Sequence, residues 1–198
     1  MLLKRYTYLL LFILLSMNLP SITAQEIDFG SYSSQYTMTL TDLTPASDLD
    51  FGLVITGIDQ EVDLFNAKVL SIEGVSYLDV IVDVTGPQYL TLDGAPCSTS
   101  NCRIPFTVRA AYANKGTNST SQAILMTTIG LTASAQFPIK YRGNAPPGPP
   151  PTPVYEGYNP SAFNETAYLY IYGDLDFFGV TVDAGNYSGD ILITVQYD

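Results

Sequence analysis

The chain has 198 residues, of which 46% are hydrophobic and only 14% are charged, and its formal net charge is −11 at pH 7. It contains no histidine and no tryptophan, which excludes histidine-dependent nucleophile pairs, the usual general base and histidine-containing metal sites. The negative charge disfavours nucleic acid and anionic membrane surfaces as partners. The composition therefore favours a protein that is not an enzyme and uses no cofactor or metal.

The N-terminus has the pattern of a secretory signal. Lys4 and Arg5 precede an apolar run from Leu9 to Met17, and Ile22–Ala24 ends in small residues. The run is too short to span a bilayer, so we expect residues 1–24 to be a cleaved signal peptide and the mature chain to be secreted without a membrane span. The alternative is an uncleaved anchor. Cleavage would leave 6 basic and 19 acidic residues, a net charge of −13.

The remainder is long enough for one domain with a hydrophobic core. We divide it into an N-terminal extension with the first strand, residues 25–44, and a single domain, residues 45–198. A proline-rich segment interrupts that domain at residues 144–160 and is predicted to be an exposed loop, in preference to a domain linker or a ligand for a proline-binding module.

Valine, isoleucine, threonine and tyrosine dominate, and short apolar runs alternate with turn residues, so the predicted fold class is all-β, a sandwich or barrel. The stretch 123–135 fits a strand or a short helix, and Glu73-Gly74 is read as a hairpin turn. The predicted strands are Tyr36–Leu40, Leu49–Ile55, Ala67–Ile72, Tyr77–Val84, Tyr89–Leu92, Arg103–Tyr112, Phe137–Tyr141, Ala167–Tyr172, Phe178–Val182 and a terminal strand within 185–198.

Cys97 and Cys102 are the two cysteines of the chain. In an oxidising compartment we expect them to form a disulfide with each other. Two thiols without histidine are a poor metal site, and no nearby residue favours a catalytic thiolate. The bridge would close a short loop and stabilise a local turn.

Two further patterns have a functional and a structural interpretation. The acidic groups Asp59-x-Glu61-x-Asp63 and Asp174-x-Asp176 could bind calcium, but neither matches a dedicated calcium loop. Solubilising surface charge is the favoured interpretation. The run Tyr168-x-Tyr170-x-Tyr172 could line a sugar-binding face, although packing across strands is the commoner fate of such side chains.

The last fourteen residues show the clearest strand pattern of the chain. Ile191, Ile193, Val195 and Tyr197 fall on one face of a strand, with polar residues mostly on the other. An apolar strand edge at this position would pair with another chain unless something covers it.

Together with Gly185 and Tyr187, this ending resembles the C-terminal signature of pilus subunits assembled by the chaperone–usher route. Leu49-Asp-Phe-Gly52, followed by Val54 and Gly57, is similar to the L-x-F-G strand of archaic pilins and the spore coat protein U group. Ala184–Gly189 resembles their A-G-x-Y turn. A family of secreted bacterial domains of unassigned function shares both ends of the pattern.

The resemblance implies an immunoglobulin-like antiparallel β-sandwich with a missing or donated strand. Its groove would be lined by the terminal strand through Gly185, Tyr187, Ile191, Ile193, Val195 and Tyr197. A periplasmic chaperone and an outer-membrane usher would handle the subunit, and a neighbouring copy or related subunit would donate a strand, for which Ile27 and Phe29 are the candidates in this chain. The implied function is a surface fibre or pilus subunit.

The alternative is a stand-alone secreted β-sandwich. If residues 25–43 fold back onto their own sheet, the domain is self-complemented and monomeric, and a binding or matrix role follows. A glycan or another surface ligand would then be its partner.

Overall fold

The structure is a computed structural model that describes residues 37–76, 78–141 and 164–198. The predicted signal peptide, the proline-rich segment 144–160, and Ile27 and Phe29 lie outside the described residues. Within these ranges the regular elements are β-strands and three short 3-10 turns, and no α-helix occurs. No helix in this part of the chain is long and apolar enough to cross a membrane.

Twelve strands form two antiparallel sheets. They are β1 (Thr39–Asp42), β2 (Gln60–Val62), β3 (Lys68–Val75), β4 (Asp79–Thr85), β5 (Tyr89–Leu92), β6 (Arg103–Ala113), β7 (Ile124–Leu125), β8 (Thr127–Ile129), β9 (Thr132–Pro138), β10 (Asn164–Leu175), β11 (Tyr187–Ser188) and β12 (Leu192–Tyr197). The predicted all-β class is confirmed, and the ambiguous stretch 123–135 forms strands.

The larger sheet has eight strands, and one of the two sheets is strongly curled. Its order is β1-β3-β10-β6-β5-β11, with β2 added beside β10 and β7 beside β6. The smaller sheet has the order β12-β4-β9-β8. Strand β12 is therefore one edge of the smaller sheet, with β8 at the other, and β1 is an edge of the larger sheet.

One apolar core lies between the two sheets. The alternate residues Val80, Val82 and Val84 of β4 are fully buried, whereas the residues between them are half-buried, as the two-residue period of a strand requires. Across the core, the rings of Tyr112 and Phe137 stack with centroids 3.8 Å apart. Burial of each such side chain stabilises the fold by about 1.5–3 kcal/mol.

Two predicted strands are loops. Leu49–Ile55 contains Gly52 at a φ of 67°, and Gly179 within Phe178–Val182 has a φ of 69°. An extended strand cannot contain this left-handed conformation. Leu49, Phe51 and Val54 nevertheless pack against the core, so their apolar alternation reflects burial of a loop. Conversely, the short strand β2 was not predicted.

The predicted hairpin at Glu73-Gly74 is also wrong. Both residues lie inside β3, and the chain turns after Val75, whose carbonyl accepts a hydrogen bond from the N–H of Leu78 at 3.1 Å. Strands β3 and β4 then belong to different sheets. Gly74 is small for another reason: a Cβ at this position would lie 2.6 Å from the hydroxyl oxygen of Tyr197.

We therefore predict that Gly74→Ala lowers the free energy of unfolding by about 1–3 kcal/mol, because the methyl group displaces the Tyr197 hydroxyl. Denaturant unfolding measures the loss, with Ser71→Ala on the same strand as the control. Tyr197→Phe removes the obstructing oxygen, so the double variant should be more stable than the two single losses predict. Simple additivity of the two losses would contradict the contact.

Candidate assembly groove

Strand β12 has one face towards the core and one towards solvent. Ile193, Val195 and Tyr197 are half-buried and pack against the core, whereas the residues between them are exposed. Ile193 is opposite Val84 and Val195 is opposite Val82 in the antiparallel register with β4. Strand β4 occupies only one side of β12, and in the described ranges no strand pairs with its other side.

The Tyr197 hydroxyl joins the two sheets at one end of β12. It accepts a hydrogen bond from the N–H of Val75 at 3.0 Å and donates one to the carbonyl of Thr37 at 3.1 Å. Val75 belongs to β3, and Thr37 precedes β1. The edge of the smaller sheet is thereby fastened to the larger sheet at this end.

Towards the other end of β12 the two sheets leave an open groove of about 500 Å³, which we call the assembly groove. Ile191 and Ile193 line one side, and Leu70 of β3 and Ile171 of β10 line the other. Phe51 also lines it and contacts Phe106 edge to face, with ring centroids 6.0 Å apart. These residues form an apolar part of the lining that could receive the apolar side chains of an inserted strand.

Charged residues also line the groove. Lys68 Nζ lies 2.7 Å from Asp42 Oδ2 and donates hydrogen bonds to the carbonyls of Thr44 at 2.6 Å and Ser47 at 2.5 Å. The Lys68 hydrogen bond holds the pKa of the Asp42 carboxyl below its usual value. Lys68 therefore fastens the loop after β1 to β3.

The structure separates the residues predicted to line one groove. Ile191 and Ile193 line the assembly groove, and Val195 and Tyr197 continue along β12 beside the same core. Gly185 and Tyr187 instead line a second cavity of about 410 Å³. The terminal strand expected within 185–198 is in fact two strands, because β11 pairs with β5 in the larger sheet and β12 with β4 in the smaller one.

Gly185 and Tyr187 fasten the chain before it changes sheets. A Cβ at Gly185 would overlap Cδ1 of Leu92, so glycine permits this close approach. The Tyr187 hydroxyl donates to the carbonyl of Asp183 at 2.8 Å and to that of Asn101 at 3.2 Å. These contacts position the segment that leads to β12.

The cysteine pair supports the same segment. Cys97 and Cys102 are at disulfide distance with their Cα atoms 6.1 Å apart, which confirms the predicted pairing. Their loop presents Asn101, whose Nδ2 donates to Asp183 Oδ2 at 2.6 Å and whose carbonyl accepts from the N–H of Asp183 at 2.7 Å. Asn101 was not predicted from the sequence, where its position inside the cysteine loop is the only signal that could have indicated it.

The two acidic groups have local structural roles. Asp59 accepts a hydrogen bond from the N–H of Phe177 at 2.8 Å, and Asp63 caps the 3-10 turn Leu64–Asn66. Asp174 pairs with Arg109 at 2.5 Å. Across the described residues, no three potential metal ligands are grouped in a way that could hold an ion.

The tyrosine side chains of β10 pack against other parts of the chain. Tyr170 and Tyr172 are buried with Val62 of β2 and with alanines of β6, and Tyr168 packs against the same cluster. The Tyr170 hydroxyl donates to Asn118 Oδ1 at 2.8 Å. These rings pack within the domain, so Tyr170 and Tyr172 do not form an open sugar-binding face.

Neither a family model, nor a curated protein, nor a solved structure matches the chain. The resemblance to pilins therefore remains a prediction, and a function has to follow from the residues of the groove.

The burial of two tyrosines predicts that the domain loses stability in alkali. Loss of hydration raises the pKa of Tyr170 and of Tyr172. The unfolded tyrosines ionise near pH 10, so their contribution to stability is present below this pH and is lost as the pH rises through the higher folded pKa. We expect Tyr170→Phe and Tyr172→Phe to flatten the fall in unfolding free energy above about pH 10. Denaturant titrations at pH 7 and above pH 10 measure the unfolding free energy of each variant. If this free energy falls with pH as steeply in the variants as in the unmodified chain, the prediction is wrong.

Proposed function

We propose that the chain is a non-enzymatic subunit of a surface fibre, assembled when an extended segment of another chain adds to β12 and fills the assembly groove. The observation that carries this proposal is the combination found at β12. One backbone edge has no strand partner among the described residues, and beside it the core is open along an apolar groove. Addition of a strand would satisfy the edge and cover the groove at once.

The order of the sheets supports an immunoglobulin-like sandwich as the fold behind this function. In that fold, strands A, B, E and D form one sheet, and strand F lies between C and G in the other. The order β1-β3-β10-β6 fits A-B-E-D, and β12-β4 fits F-C. The open side of β12 is then the place of strand G. The sequence position of β9, between β6 and β10, departs from the usual connection.

Strand addition accounts for both affinity and register. Backbone hydrogen bonds along β12 would provide affinity, and alternate apolar side chains of the donor would enter the groove beside Ile191 and Ile193. A shift of one residue would turn those side chains to solvent, so the groove selects the register. A head-to-tail contact that does not close into a ring propagates as a fibre.

The resemblance adds the route of assembly to this proposal. A secreted chain with an unpaired apolar edge would aggregate in transit, so a periplasmic chaperone that covers β12 before an outer-membrane usher accepts the subunit is the expected handling. The finished subunit would lie at the cell surface.

One observation favours the alternative of a self-complemented secreted domain. Residues 39–42 already fold back onto the domain, since β1 pairs with β3, and the carbonyl of Thr37 binds Tyr197. The chain thus covers one edge of β3 with its own β1 and binds the end of β12 through Thr37. The glycan-binding form of this alternative loses support because Tyr170 and Tyr172 are buried.

Two substitutions on neighbouring residues test the groove. Ile193→Asp places a charge in the apolar groove without a partner, so we expect assembly to fall by at least tenfold. Leu192→Asp adds the same charge on the exposed face of β12, opposite the uncharged Thr85, and should leave assembly intact. Light scattering and electron microscopy measure assembly, and circular dichroism checks the fold. Equal assembly of both variants would contradict the groove assignment.

Deletion of residues 25–34 separates the two functions. In the fibre proposal the shortened chain keeps its thermal stability, because its own extension serves another subunit or remains unused. Self-complementation instead requires that the deletion lower the melting temperature, since the domain would lose one of its own strands. Thermal unfolding of the exported chains distinguishes the two results.

A further inference from the structure

The entrance of the assembly groove is acidic. Asp48 and Asp190 line it, both are exposed, and neither has an ion-pair partner among the described residues. Asp42 also lines the groove. The chain as a whole carries a formal net charge of −11, so the surroundings add to the negative potential.

The lysine of the groove does not offset this charge for an incoming segment. Lys68 is the only cation among the described lining residues, and its side chain is 16% exposed. An ammonium group has three donors, and Lys68 directs them to Asp42 and to the carbonyls of Thr44 and Ser47. An acidic residue of a bound strand would have to break these contacts to pair with it.

The chain's own extension has the wrong charge for this entrance. In residues 25–34, Ile27 and Phe29 alternate with Glu26 and Asp28. If the two apolar side chains entered the groove, strand alternation would turn the two carboxylates outwards at its entrance. They would then lie among carboxylates of the same sign, which raises the free energy of binding.

We propose that the strand received by the assembly groove comes from a different chain, in which lysine or arginine residues alternate with the apolar residues, and not from a second copy of this protein. This inference rests on the proposed function, because it names the donor that the same groove accepts. Like charges exclude the wrong donor and opposite charges favour the right one, which is how an interface acquires specificity. The protein would thus join a fibre of mixed composition.

Two peptides with the same apolar residues test the inference. One has the native sequence of residues 25–34, and the other carries Glu26→Lys and Asp28→Lys. We expect the full exported chain to bind the lysine peptide about tenfold more tightly at low ionic strength, because two like-charge contacts are replaced by two exposed ion pairs. High salt should remove the difference. Titration calorimetry measures both affinities.

Two variants of the chain locate the effect. Asp48→Asn with Asp190→Asn should remove most of the preference for the lysine peptide, and Asp42 with the net charge of the chain accounts for the remainder. Glu61→Gln with Glu73→Gln makes the same change of net charge on residues that do not line the groove, and should retain the preference.

The outcomes separate this inference from the proposed function. If the native acidic peptide binds as tightly as the lysine peptide, or if the charge control also loses the preference, the basic donor is wrong but strand addition survives. If neither peptide binds the chain, the groove accepts no strand, and the proposed function fails with it.

Discussion

The two hydrogen bonds of the Tyr197 hydroxyl are the constraint on which the rest of this architecture depends. β-Sheets packed face to face are held mainly by non-directional burial, which leaves their edges free to separate. Tyr197 adds a directional connection, because its oxygen is bound to both Val75 and Thr37. At that end the core is closed. Towards Ile191, no comparable hydrogen bond joins the edges of the two sheets in the described residues, and the assembly groove lies between these edges.

Lys68 has the corresponding role on the other side of the groove. Its ammonium group holds the loop that follows β1 through two backbone carbonyls and Asp42. A partly buried charge that meets all its hydrogen-bonding capacity fixes geometry better than it adds stability. The contacts of Lys68 therefore fix one side of the groove, and Tyr197 closes one end. Lys68 lies on β3 and Tyr197 on β12, so both residues are held by regular strands. This arrangement gives a preformed site, which lowers the entropic cost of binding an extended segment.

The sequence predicted the strands whose apolar period coincides with backbone pairing. The predicted bounds of β5 agree with the structure, and those of β4 and β6 agree within two residues at each end. The same period failed at Leu49–Ile55, where apolar residues of a loop cover the core. Periodicity records which side chains are buried and does not record which backbone groups are paired.

The groove was only partly accessible from the sequence, for a similar reason. Strand alternation placed Ile191 and Ile193 on one apolar face, which is the face that the structure turns to the groove. The change of sheet between β11 and β12 was missed. Gly189 lies between these two strands, where the chain passes close to Pro87. Pro87 is distant in the sequence, so nothing in the sequence around Gly189 indicates this contact. The contacts of Lys68 and Tyr197 were missed because they join distant parts of the chain to backbone atoms. Because every residue type has a carbonyl and almost every type an N–H, such contacts leave no pattern in the sequence of the residues that are bound.

The contact between Gly74 and Tyr197 also has an evolutionary consequence. The tyrosine ring can reach the backbone of β3 only because residue 74 has no side chain, and the missing side chain is an advantage only while the tyrosine remains. Selection therefore acts on the two positions as a pair. Among descendants of this sequence, a larger residue at position 74 would be tolerated together with a shorter one at position 197. Co-variation of positions 74 and 197 among these descendants would then indicate that the residue at position 197 closes this end of the core.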